Sequence, residues 1–143
     1  MQLMVLANSY KELPKWSILR RKGVKEGFEV FLINQTKYDY KLVNVDHEIL
    51  IYRQAFFENE WVFVEPIKKD FSPWCGNSYM TSRVIKSNDY FSFLAPCIDG
   101  NIKMKMRFSI IAMDRANAIP IVSNEFEGWI HLGLLGKKST GKY

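Results

Sequence analysis

The chain has 143 residues, 48% of them hydrophobic and 15% aromatic, with two cysteines and a formal net charge of +5. That length suits one domain able to bury a core without disulfides or metals, and the apolar content argues against disorder in its body. The charge lies in the ends: Lys11, Lys15, Arg20, Arg21, Lys22 and Lys25 face only Glu12 in residues 1–25, and Lys137, Lys138 and Lys142 close the chain, while the stretch between is mildly acidic. A nucleic-acid-binding body would carry a basic face of its own, so no nucleic acid is expected on the body, and the basic ends read as solubilising tails. No segment is long enough to span a membrane. Met1–Leu6 is too short for a signal-peptide core and has no basic stretch before it, so the chain reads as cytoplasmic from Met1, and as exported if a leader was trimmed.

Residues 1–26 are the least regular part, with a short edge strand around Trp16, Ile18 and Leu19. The domain proper is expected over 27–132. A strand follows Gly27, with Phe28, Val30 and Leu32 on one face and Phe31 and Ile33 on the other. Both faces are apolar, which predicts a central strand or one covered on both sides. Tyr40–Val45 is a shorter strand, and Asp46 and His47 turn it. The next strand starts at Ile49 and runs to Phe56, then Phe57–Glu60 form a hairpin turn and Trp61–Glu65 return antiparallel. Residues 66–77 are loop, rich in turn formers. Strands at Ser78–Ile85 and Tyr90–Leu94 are joined at Ser87–Asp89, and Asp99–Gly100 is a two-residue turn signal.

From Ile102 to Ile110 every even position is apolar and every odd one polar. A strand sends successive side chains to opposite faces, so this run has one buried and one wet face. Met113–Ala118 follows as loop, and Ile121–Leu132 is the last strand, with Phe126, Ile130 and Leu132 on one face. Residues 133–143 are a disordered basic tail. Placing Lys105 opposite Glu127 puts Met106 opposite Phe126, Ile102 opposite Ile130, Lys103 beside Trp129 and Arg107 facing Glu125, so charges pair on one face and apolar groups on the other. Seven to nine short strands with regular turn signals predict an all-β, antiparallel sandwich.

The strand set, over roughly residues 27–132, resembles an immunoglobulin- or fibronectin-III-like sandwich. The segments Trp74-Cys75-Gly76-Asn77-Ser78-Tyr79, Lys103–Phe108 and Ser123-Asn124-Glu125-Phe126-Glu127-Gly128 are similar to those of small bacterial β-sandwich proteins of uncharacterised function. The resemblance implies a fold and no activity. The antibody signature is absent, because Cys75 and Cys97 lie close together with no tryptophan between them.

The chemistry-bearing residues form no catalytic constellation. Cys75 would need a histidine base, and only His47 and His131 exist. Cys75 and Cys97 either pair in an exported chain or stay as thiols in a reducing compartment. A zinc site needs three or four spaced ligands, which are lacking, so neither metal nor cofactor is expected. Glu58, Glu60 and Glu65 sit at or near a hairpin without an implied cleft. No phosphate loop, hydrolase elbow or dinucleotide fingerprint occurs. The expected function is therefore non-enzymatic: an accessory or interaction domain that binds another protein through a sheet face, a sheet edge or the 66–77 loop, with Trp74, Trp129, Asn77 and Tyr79 as binding residues. The alternatives are carbohydrate binding by the same tryptophans and protease inhibition by the 66–77 loop. The sequence leaves oligomeric state open.

Overall fold

The computed structural model describes residues 1–15, 20, 23–45, 48–49, 51–64, 80–114 and 117–135. Its strands are β1 (Gln2–Glu12), β2 (Glu26–Asn34), β3 (Tyr40–Val45), β4 (Glu48–Ile49), β5 (Ile51–Phe57), β6 (Glu60–Phe63), β7 (Met80–Ile85), β8 (Asp89–Pro96), β9 (Ile102–Asp114), β10 (Asn117–Val122) and β11 (Phe126–Ile130), followed by a 3-10 turn at Leu132–Leu134. The fold is all-β, and its ladders are antiparallel. Among the described residues no helix is long and apolar enough to cross a membrane.

The strands make two sheets. The smaller has the order β1-β2-β8; the larger runs β4-β3-β9-β5-β6, with β7 on β3 and both β10 and β11 on β9. The apolar character of both faces of β2 is accounted for by its central place. Phe28, Val30 and Leu32 are buried in the core, and Phe31 and Ile33 are half-buried on the other face. Residues from both sheets share one core: Leu3, Val5, Val30 and Leu32 from the smaller, Leu42, Ala55, Met106, Phe108, Ile110, Phe126 and Ile130 from the larger. Phe126 bridges the two, with its ring centroid 5.1 Å from Phe28 and 5.3 Å from Phe108. Full burial of each such side chain contributes about 1.5–3 kcal/mol.

Residues 1–26, expected to be irregular, contain the eleven-residue β1. Its ladder with β2 shifts between Leu6 and Tyr10, and that bulge interrupts the alternation by which a strand is recognised. The edge strand expected around Trp16 falls outside the described residues, as do the Asp46–His47 turn and the 66–77 loop. β1 is fastened to the larger sheet by Asn124, whose amide accepts from the Val5 N–H at 2.7 Å and donates to the Val5 carbonyl at 3.1 Å. Beside it Leu3 makes an isolated parallel bridge to Ser123. The Ser123 hydroxyl accepts from the Phe108 N–H, and the Ser123 N–H donates to the Phe108 carbonyl. These polar contacts split the expected last strand into β10 and β11. Leu132, expected on its buried face, lies beyond β11 and is exposed. The expected loop at Met113–Ala118 is shorter than predicted, because β9 continues to Asp114 and β10 begins at Asn117.

Two turn signals mark passages between sheets. β7 belongs to the larger sheet and β8 to the smaller, so Ser87–Asp89 joins sheets. The Asn34 side chain secures this passage. Fully buried, it donates to the carbonyls of Tyr38, Ile85 and Lys86 at 2.8, 3.1 and 2.9 Å and accepts from the Thr36 N–H and hydroxyl. Likewise the Asp99–Gly100 turn carries the chain from β8 in the smaller sheet to β9 in the larger. Gly100 lies outside the left-handed region and serves a close approach, its Cα packed against the Ile130 backbone. The Phe57–Glu60 turn is the hairpin expected: Phe57 pairs Glu60, with Glu58 and Asn59 at φ 49° and 64°, the left-handed pair that a tight two-residue turn requires.

Candidate binding face

β9 pairs β11 with Met106 opposite Phe126, Lys105 opposite Glu127, Lys103 opposite Trp129 and Ile102 opposite Ile130, the register the alternation predicts. Met106, Phe126 and Ile130 then point into the core, and Lys103, Lys105, Arg107, Glu127 and Trp129 point out. On the other side of β9, Gln54 stands opposite Arg107. The β5–β6 hairpin adds Phe56 opposite Trp61 and Gln54 opposite Phe63. Side chains two apart share a face, so Tyr52, Gln54, Phe56, Trp61 and Phe63 extend the same outer surface across β11-β9-β5-β6.

This surface is aromatic and cationic at its centre. Phe56 and Trp61 lie 5.3 Å apart between centroids, and Tyr52 meets Phe63 edge-on at 5.7 Å. The Arg107 guanidinium sits 4.1 Å over the Trp61 ring, while its Nε–H donates to Gln54 Oε1 at 2.7 Å. Planar stacking of this kind is what guanidinium does better than ammonium. Burial pulls the Arg107 guanidinium below its ordinary range, and the nearby Glu125 pushes it back up. Lys105 lies 6.0 Å over Phe56. Trp129 is 53% exposed, and has no ring partner among the described residues.

The charge pairs differ from the expected ones although the register is the same. Lys103 pairs Glu127 at 2.5 Å and Lys105 pairs Glu125 at 3.0 Å, each one step diagonal. Lysine reaches diagonal neighbours easily, and the shift leaves Arg107 to stack on Trp61 instead of facing Glu125. These exposed pairs contribute little stability, but they neutralise both lysines.

Of the predicted binding residues, Trp129 is on this face; Trp74, Asn77 and Tyr79 fall outside the described residues, as do Cys75 and His47. Cys97 is a free thiol. Burial pushes it up against the opposing pull of Arg53, and Glu26 and Asp99 raise it further, so its thiolate fraction at neutral pH is small. His131 is exposed, as its alternation with Trp129 predicts. Sequence reasoning missed the Phe56–Trp61–Arg107 cluster. Its signal was present: a two-residue turn at Glu58–Asn59 forces Phe56 opposite Trp61. Among the described residues no group of three His, Cys, Asp or Glu side chains could hold a metal. No protein-family model, no curated protein and no solved structure matches the chain.

Proposed function

We propose that the chain is an immunoglobulin-like sandwich serving as a non-enzymatic interaction domain, and that it binds another protein through the outer face of β11-β9-β5-β6. One observation carries this reading: five aromatic side chains and a stacked arginine occupy a sheet face beside two mutually neutralised ion pairs. Protein-binding hot spots favour Trp, Tyr and Arg at the centre of a patch, with a polar rim around them. With both lysines paired, the face offers no strip of unpaired cations to a polyanion. Two antiparallel sheets around one core support the sandwich part of the proposal.

The partially exposed Trp129 ring favours one second reading, stacking on a sugar ring. A parallel capture separates the two. The wild-type domain and a Phe56→Ala, Trp129→Ala variant are immobilised and exposed to lysate of the native cells. A protein retained by wild type and reduced at least tenfold with the variant is the expected result. Equal recovery on both would remove this face as the site, and retention of polysaccharide with no protein would favour the sugar reading. Trp129 and Phe56 are 53% and 39% exposed, so the variant should melt within a few degrees of wild type.

A further inference from the structure

Among the described residues the smaller sheet ends in an unguarded edge. β8 pairs β2 over eight consecutive residues without a bulge, and among the described residues no strand pairs its other side. Sheet edges are ordinarily protected by lysines, prolines, bulges or short length. The run Tyr90-Phe91-Ser92-Phe93-Leu94-Ala95 has no charge and no proline. Protection stands only at its ends, with Asp89 before it and Pro96 after it, whose carbonyl accepts from Arg53.

The two faces of this edge differ. Tyr90, Ser92 and Leu94 share the outer face. Phe91 and Phe93 share the core face, where their rings stack at 5.9 Å and remain only half-buried. The apolar core thus runs out to the edge, where among the described residues no further strand follows. Arg83 lies 3.8 Å over the Phe91 ring, which covers the ring but adds no strand.

We propose that β8 pairs antiparallel with β8 of a second copy about a twofold axis at Ser92, joining the two smaller sheets into one. A second copy is the occupant that symmetry and charge favour. Residues opposite each other in a ladder share a face, so a twofold pairing must place core-facing side chains opposite core-facing ones. With Ser92 on the axis, Phe91 meets Phe93 of the second copy twice, and Tyr90 meets Leu94 twice. Asp89 falls opposite Ala95, so no like charges meet. An axis at Phe93 also preserves the faces, but it sets Phe91 against Ala95 and Tyr90 against Pro96, which has no N–H to give. Aromatic cross-strand pairs favour the Ser92 axis.

Sedimentation of the full chain over a concentration series tests this, with Ser92→Lys and Ser92→Glu variants. Ser92 is exposed on the outer face, so neither substitution disturbs the core. Wild type is expected to dimerise reversibly. Each variant alone should dissociate about fivefold more readily, since it sets like charges opposite each other. An equimolar mixture of the two should recover association by forming the mixed dimer. A wild-type chain that stays monomeric throughout would overturn the proposal. So would variants that dimerise as wild type does, or a mixture no tighter than its components.

Discussion

Gly100→Ala is expected to destabilise the fold by about 3 kcal/mol or more. A methyl at this position would fall inside the van der Waals shell of the Ile130 N, Cα and C atoms. Backbone cannot rotate out of the way. Relief requires β11 to slide off β9, which breaks the Asn101 N–H bond to the Ile130 carbonyl at 3.2 Å and unseats the fully buried Ile130 side chain. Gly128→Ala is the informative comparison. The added methyl there meets the Met106 thioether, a flexible side chain that can turn aside, and the expected cost is only about 1–2 kcal/mol. Urea unfolding of both variants measures the difference. Equal costs would mean that Gly100 is not held against β11.

Asn34→Ala is expected to cost about 3 kcal/mol, or roughly 10 °C in Tm. The amide donates to three carbonyls from two separate chain segments and accepts two further hydrogen bonds from Thr36. Its removal strips the buried Ile85 carbonyl of this partner, and unsatisfied buried groups are costly. Asn34→Asp should be worse at neutral pH, because a carboxylate cannot donate to any of the three and would sit charged in the interior. Thermal unfolding checks both. A loss below about 1 kcal/mol for the alanine variant would show that other groups take over the carbonyls.

The alternation of Ile102–Ile110 and the polarity of Glu125–Ile130 were enough to read the β9–β11 register, because a one-residue slip would have turned Met106 and Phe126 outward. The β5–β6 hairpin was legible for a similar reason: Glu58 and Asn59 had to turn between two apolar runs. What stayed hidden was non-local. Ser87–Asp89 and Asp99–Gly100 announce turns, but a turn signal does not say whether the following strand rejoins its sheet or crosses to the other. β1 escaped because its bulge breaks the period, and because Asn124, more than a hundred residues away, supplies part of what holds it. At the candidate face, the parity of its own strand exposed Trp129. The Arg107 stack on Trp61 depends on a side chain choosing between Glu125 and an aromatic ring two strands away, and local pattern cannot decide that.

The binding face is tested most directly by residue-level mapping. A 15N-labelled domain is titrated with the partner recovered by wild type and lost by the Phe56→Ala, Trp129→Ala variant, and amide shifts are followed by NMR. The account predicts the largest changes at Lys103–Arg107, Gln54–Phe56, Trp61–Phe63 and Glu125–Trp129, including the Trp61 and Trp129 indole N–H signals. Changes centred on β1, β2 and β8, with both indoles unmoved, would contradict it.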